Sequence, residues 1–255
     1  MNKGSICFCF LSVIPVRSKP SDESEIVSQL LFGETLKIIS EDKQWKKIQS
    51  YHDNYEGWID EKQVIEITQS ELENISKNSK RQLELSNCIH TPFGNIQALK
   101  GSIIPDEGKK FEINSQSFSL VRTTSTSEIK NHSIQKIAKS YLNTPYLWGG
   151  RSPYGIDCSG LVQIVFQMKG IQLPRDASQQ EKCGQLIEFE NRKPGDVAFF
   201  INEKNQIHHV GILIEENIVI HASGRVRTDR IDNKGIYNEN LEKFTHKYHS
   251  IRRMI

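Results

Sequence analysis

Cys158 follows Asp157 and precedes Ser159-Gly160-Leu161-Val162, and from Leu161 to Met168 the chain is mostly apolar through Leu161, Val162, Ile164, Val165, Phe166 and Met168. Upstream lies Tyr146-Leu147-Trp148-Gly149-Gly150. The stretch reads as a Gly-rich, aromatic loop running into a helix that begins at or beside the cysteine. A helix apolar around most of its girth belongs inside a domain. A thiol in its first turn sits among free backbone N–H groups at the positive end of the helix dipole. Such a position can take a cysteine from a pKa of about 8.5 into a range of roughly 3.5–7.5, so Cys158 is expected to be an activated nucleophile.

A nucleophilic thiol needs a base to take its proton, and the base needs a partner that fixes its tautomer. Of the eight histidines, His209 and His221 fall on consecutive predicted strands, nearly symmetric about a turn at Glu215-Glu216. They are therefore expected as cross-strand neighbours on one face. His208 points to the opposite face. Gly211, beside His209, is expected to leave room for another element such as the Cys158 helix. On pattern alone, two ordinary surface or core histidines remain the competing reading.

The elements that must position these groups follow from periodicity. Ile134, Ile137, Ala138, Tyr141 and Leu142 recur at helical spacing, and Asn143-Thr144-Pro145 ends that helix because a residue before proline resists the α region. Gly170 stops the Cys158 helix. A further short helix starts near Asp176 or Ser178, either of which can cap it. Strands follow at Val197–Phe200, Gln206–Ile214 and Ile218–Gly224. Helices first and an antiparallel meander after is an α+β pattern.

The N-terminal half is different. Short apolar runs separated by turn signals over residues 1–66 read as a small all-β barrel. Residues 67–80 are polar apart from Leu72 and Ile75 and read as a linker or short exposed helix. Residues 81–125 show a second set of short β-like runs, and residues 126–255 form the α+β region, with the period changing from Ser127.

Composition excludes several classes. The 255 residues carry 33 basic and 31 acidic side chains, a net charge of +2, which gives no reason to expect nucleic acid, and no basic run is long enough for a phosphate or membrane patch. No apolar segment approaches the roughly 18 residues needed to span a bilayer. Five cysteines, Cys7, Cys9, Cys88, Cys158 and Cys183, without a CxxC pair argue against a disulfide framework or a structural zinc site. No metal or cofactor is expected, because a thiol–imidazole pair works without one. Met1-Asn2-Lys3 and Ile6-Cys7-Phe8-Cys9-Phe10-Leu11 resemble a signal peptide, but there is one basic residue, a short apolar run and no small-x-small site before Pro15. A cytoplasmic location is expected, with periplasmic or secreted as the alternative.

Six segments carry a family resemblance: Pro145-Tyr146-Leu147-Trp148-Gly149-Gly150, Asp157-Cys158-Ser159-Gly160-Leu161-Val162, Leu173-Pro174-Arg175-Asp176, Pro194-Gly195-Asp196, His209-Val210-Gly211-Ile212 and His221-Ala222-Ser223. In this order they resemble the NlpC-type (NlpC and p-sixty) family of bacterial cell-wall cysteine peptidases. Pro15-Val16-Arg17, Gln29-Leu30-Leu31-Phe32-Gly33-Glu34, Trp45-Lys46-Lys47-Ile48 and Tyr55-Glu56-Gly57-Trp58-Ile59 resemble a bacterial SH3-like domain. The resemblance implies a papain-like catalytic domain, a nucleophile helix packed on an antiparallel sheet, behind an SH3-like barrel; residues 81–125 are read as a second small SH3-like barrel from their composition and position. It implies hydrolysis of murein stem peptides between γ-D-glutamate and a diamino acid.

Carried over by position, Cys158 is the nucleophile, His209 the general base and His221 the residue that orients it. Tyr146, with the Cys158 backbone N–H, would stabilise the oxyanion. Trp148, Asp157 and Ser159 lie where the family binds the D-glutamyl end, and Arg175, Asp176 and Ser178 are weaker candidates for the same cleft. The barrel-plus-catalytic layout resembles the dipeptidyl-peptidase subgroup, which takes stem peptides with a free N-terminal L-Ala. There Asp157 would meet the substrate ammonium, with Glu25 and Tyr55 as the barrel's contribution, against the competing readings of a solvated Glu25 and a core Tyr55. The implied partner is a murein fragment met by a monomer, and the implied setting is cell-wall recycling. Acyl transfer or deamidation by the same thiol, or a wall-binding module with an inert catalytic fold, are the alternatives.

Overall fold

The computed structural model describes residues 1–105, 110–121 and 132–254. The boundary expected at 125/126, and the change of period expected from Ser127, lie outside the described residues. The chain divides into two compact units, Met1–Ile129 with Arg151–Pro153, and Lys130–Gly150 with Tyr154–Ile255.

The first unit is all-β apart from short helical segments. Strands β1 (Ile6–Cys9), β2 (Val13–Arg17), β3 (Ile26–Leu31), β4 (Thr35–Asp42), β5 (Trp45–Ser50), β6 (Glu56–Asp60) and β7 (Val64–Ile67) form one sheet in the order β3-β2-β6-β5-β4-β1-β7. Helix α1 (Gln69–Asn78) follows, then β8 (Ser79–Arg81), β9 (Ser86–Thr91), β10 (Gly94–Leu99), β11 (Ile103–Pro105), β12 (Lys110–Ile113) and β13 (Gln116–Leu120). Four of these make a sheet ordered β10-β9-β13-β12, and β8 pairs with β11.

Residues 67–80, expected as a linker or exposed helix, do not separate two bodies. Thr68 and Glu71 form a capping box that starts α1. One turn apart on the helix, Leu72 and Ile75 are buried in a cluster that also holds Phe8, Phe32 and Ile65 before it and Ile89, Phe111 and Phe118 after it. The two expected barrels thus share one core.

The first unit also buries charge. Glu34 is fully buried and accepts from Arg151 Nη1 at 2.8 Å, Arg151 Nη2 at 2.9 Å and Arg81 Nη1 at 3.2 Å. Arg151, on β14 (Arg151–Ser152), is equally buried and gives a further bond to the Gln29 carbonyl at 2.6 Å. Burial alone would raise the Glu34 pKa, but Arg151, His52 and Arg81 hold it well below the usual carboxylate range.

The second unit contains α2 (Ile134–Lys139), β15 (Gly155–Ile156), α3 (Cys158–Met168), α4 (Ala177–Gln180), β16 (Gln185–Ile187), β17 (Val197–Ile201), β18 (Ile207–Glu215), β19 (Ile218–Ser223), β20 (Arg225–Asp232), β21 (Gly235–Asn238) and β22 (Lys243–Arg253). The large sheet runs β16-β22-β17-β18-β19-β20-β21, with β21 also paired to β22. Six antiparallel strands therefore close into a ring. One face holds a core of Ala198, Phe200, Leu213, Val219, Ile231, Ile236 and Ile251.

Helix α3 is buried along its whole length, as its composition predicts. It packs on β18 and β19, with α2 and α4 beside it. Gly170 ends it in a Schellman turn, with Gly170 N donating to the Gln167 carbonyl and Ile171 N to that of Phe166.

The register of the histidine strands differs from expectation. His221 lies opposite Gly211, not His209, because the turn is centred on Glu216-Asn217, later than the expected Glu215-Glu216, and the shift between Leu213 and Glu215 recovers only one place of the difference. His209 is the diagonal neighbour on the same face. Gly211 leaves no room for a helix either. A Cβ there would lie 2.6 Å from Val219 Cγ2, 2.9 Å from the Ile220 carbonyl oxygen and 3.0 Å from His221 Cβ.

Two outcomes follow for stability. Glu34→Gln leaves Arg151 buried without its counter-charge and is expected to cost about 3–5 kcal/mol, read as a fall in the urea midpoint; an unchanged midpoint would remove the pair from the account of this unit. Gly211→Ala forces β18 and β19 apart and is expected to cost about 1–3 kcal/mol. A Tm equal to that of the parent would mean the strands part without strain.

Candidate active site

Asp157 caps α3, its Oδ1 accepting from Gly160 N at 2.7 Å. Gly149 N donates to Oδ2 at 2.8 Å, which ties the aromatic loop to the start of the helix. Gly160 permits this close approach, since a Cβ there would meet the Gly150 carbonyl oxygen at 2.3 Å. Arg175 is almost wholly buried and forks onto the same carboxylate, Nη1 on Oδ1 at 3.0 Å and Nη2 on Oδ2, while Nη1 also reaches Ser159 Oγ at 2.8 Å. Gln180 closes the back of the turn by donating to the carbonyls of Ser159 and Pro174.

Three of the expected substrate groups, Asp157, Ser159 and Arg175, are thus bonded to one another beneath Cys158. Asp157 is 5 % exposed, and its charge is met by Arg175 within the protein. The ammonium-binding role expected for Asp157 has to contend with that pairing.

The thiol does not have the lowered pKa expected for a helix N-terminus. Burial pushes Cys158 up to about 12, and the Asp157 carboxylate adds to the rise; the backbone N–H groups of Val210 and Ser159 and the charge of Arg175 oppose it without prevailing. Loss of water around the sulfur outweighs the helix end. The Val210 contact places the thiol against β18 one residue past His209.

The histidines continue into a chain of bonds. His209 Nε2 lies 2.8 Å from His221 Nδ1, and His221 Nε2 lies 2.9 Å from Asp229 Oδ2. Arg227 Nη2 donates to Asp229 Oδ1 at 2.7 Å. The pairing explains the path: His221 faces Gly211 on one side and Arg227 on the other, and His209 and Asp229 each stand two residues along. The chain crosses three strands on a diagonal. His246, from β22, stacks on His209 with ring centroids 4.1 Å apart.

Protonation follows from these surroundings. Burial, then the neighbouring His221, His246 and His208, hold His209 well below the ordinary histidine value. His246 is held at about 4 by burial and by His221 and His208. Burial works to raise Asp229, yet the bonds from His221 and Arg227 leave it lowered and ionised. At neutral pH the site therefore rests as a neutral thiol and a neutral imidazole.

Tyr146 is half-buried. Its backbone N–H donates to the Gly224 carbonyl at 3.0 Å, and it bridges Ile156. Burial, and then the nearby Cys158 and Asp157, raise its hydroxyl to about 12, which keeps it protonated. Trp148 is 62 % exposed. Asp176 occupies the cap position of α4 without a side-chain capping bond, and Ser178 is exposed.

Tyr55 and Glu25 belong to the first unit. Tyr55 is half-buried and lines a small cavity with Ser50, His52 and Asp53; Glu25 is exposed. His208 is exposed, as its place on the strand predicts. Asp229, Arg227 and His246 were not expected from the sequence. Pairing about the Gly224 turn sets Arg227 opposite His221, with Asp229 two residues further along β20.

The NlpC/P60 family matches residues 143–245, and the bacterial dipeptidyl-peptidase SH3 domain matches residues 16–64. A γ-D-glutamyl-L-lysine dipeptidyl-peptidase of Bacillus subtilis is 29% identical over 220 residues, covering 78% of this chain and 73% of that protein. Dipeptidyl-peptidase 6 of Lysinibacillus sphaericus is 26% identical, covering 81% of this chain and 83% of that protein. In fold, the chain is similar to the crystal structure of an NlpC/P60 family protein from Bacillus cereus, with a TM-score of 0.78 at 18% identity over 98% of this chain and 99% of that one. With the cysteine, the paired histidines and both domain matches in hand, the chain is a cysteine peptidase with an NlpC/P60 family domain and a bacterial dipeptidyl-peptidase SH3 domain.

Proposed function

We propose that the enzyme hydrolyses the γ-D-glutamyl–diamino acid bond of murein stem peptides with a free N-terminal L-Ala, releasing L-Ala-γ-D-Glu. The observation that carries this reading is the Cys158 site, with His209 and His221 bonded at 2.8 Å, in a chain similar over most of its length to proteins named dipeptidyl-peptidases. Helix α3 against the antiparallel strands β18 and β19 supports a papain-like arrangement. Cell-wall recycling in the cytoplasm is the proposed setting, since a free L-Ala amine is a feature of fragments already released from the wall.

The mechanism uses the groups as they rest. His209 Nε2 is engaged by His221, which leaves Nδ1 to act on the substrate side. As the thiol attacks the γ-carbonyl carbon of D-glutamate, Nδ1 takes its proton, so the thiolate forms only during attack. The tetrahedral oxyanion is met by the Tyr146 hydroxyl and the Cys158 backbone N–H, which as the first residue of α3 has no partner within the helix. His209 then gives its proton to the departing amine of the diamino acid. Water, deprotonated by the same imidazole, attacks the thioester carbon, and the thiol is restored as L-Ala-γ-D-Glu leaves.

The test is release of free diamino acid from L-Ala-γ-D-Glu-L-Lys and L-Ala-γ-D-Glu-meso-diaminopimelate across roughly pH 6 to 9. Turnover of at least one is expected, with loss of about 10⁴-fold or more in Cys158→Ala and no release from the N-acetylated tripeptide. Absence of release from both unmodified peptides would overturn the assignment, and equal rates on the acetylated one would remove the free-amine requirement. In the unliganded enzyme, a thiol at about 12 is expected to react with iodoacetamide about tenfold faster per pH unit between roughly pH 7 and 10. A rate flat across neutral pH would instead reveal a preformed thiolate–imidazolium pair.

A further inference from the structure

We propose that Asp229, oriented by Arg227, is a positioning residue that sets the direction of every proton in the relay and so decides whether His209 can act as a base. The proposal rests on the peptidase reading for its consequence in turnover, but not for its structural content.

An ionised carboxylate only accepts hydrogen bonds. Oδ2 of Asp229, 2.9 Å from His221 Nε2, therefore requires a His221 ring that carries one proton to carry it on Nε2. That leaves His221 Nδ1 as an acceptor. His209 Nε2, 2.8 Å from it, must then carry the His209 proton, and Nδ1 of His209 is left with its lone pair. The tautomer of the base is thus dictated two residues away, through one intervening ring. Asp229 cannot turn from this task, because its other oxygen is held by Arg227 Nη2 at 2.7 Å and the side chain is 4 % exposed.

The arrangement orders the substitutions in an unusual way. Arginine has donors only. In Asp229→Asn, Arg227 keeps the amide oxygen on its own side, and the amide NH2 is turned toward His221 Nε2. His221 must then accept at Nε2 and carry its proton on Nδ1. His209 in turn accepts at Nε2 and carries its proton on Nδ1, where the thiol proton has to go. The isosteric change blocks the base. Asp229→Ala removes the acceptor without imposing a donor, and His221 remains able to hold its proton on Nε2. A packing role for Asp229 would give the opposite order, since asparagine preserves the shape and alanine does not.

The experiment combines kinetics on the tripeptides with ¹⁵N histidine NMR, which separates protonated from unprotonated ring nitrogens. Asp229→Asn is expected to lower kcat on the order of 10³-fold or more, the scale of a wrong-tautomer triad, with KM little changed. Asp229→Ala is expected to lose only about 10-fold, within the range for a perturbed general base. Arg227→Ala combined with Asp229→Asn frees the amide to turn and is expected to recover much of the loss. In the parent enzyme, Nδ1 of His209 is expected unprotonated, and in Asp229→Asn protonated. Asparagine as active as alanine, or no recovery in the double variant, overturns the proposal. So does a protonated His209 Nδ1 in the parent, a reading that needs no variant to fold. Absence of peptidase activity with the expected NMR pattern would reject the substrate assignment and leave the relay standing.

Discussion

The carboxylate of Asp157 is where three stretches of chain meet. It caps α3 through Gly160, holds the aromatic loop through Gly149, and binds the segment after the helix through the Arg175 fork. A buried ion pair is costly to desolvate and adds little net stability over an apolar replacement, but removal of one partner strands the other charge. Its contribution here is geometric. Cys158 and Ser159 stand on the first of these stretches and Tyr146 on the second, and their spacing is inherited from one anion.

That geometry is achieved in a dry site, and dryness has a second effect. Burial raises the thiol and lowers the imidazole together, so the two groups are driven away from the charged pair that a helix end would favour. The electrostatic asset of the helix N-terminus is then available for the charge that appears on the substrate oxygen, and not spent on a resting thiolate. Preorganised donors matter most where charge develops during reaction.

Much of the catalytic unit was legible in the sequence because its signals are local. An apolar run after Asp-Cys marks a buried helix, and Gly170 marks its end. The histidine strands carry their own turn. What escaped depends on distance or on a misleading pattern. Arg225-Val226-Arg227-Thr228-Asp229-Arg230 alternates like a solvated face, yet its polar side meets His221. His246 is brought to His209 by a strand that begins 28 residues after the β18 strand ends. Glu34 and Arg151 are 117 residues apart and show nothing unusual locally. The helix α1 was signalled by Thr68-Gln69-Ser70-Glu71, a capping box whose meaning the polar composition of residues 67–80 concealed. The expected thiol pKa failed for a related reason: the dipole is a local feature, and burial is not.

The closed ring of the second unit turns on β22, which pairs with β21 through residues 243–247 and with β17 through 247–252. This last strand also supplies the ring stacked on the base. During synthesis the cysteine, both histidines and Asp229 are made before it. Until β22 arrives, β17 lacks one of its two partners and His209 lacks a covering ring. A chain still being translated therefore carries every member of the relay before the ring that covers it is closed.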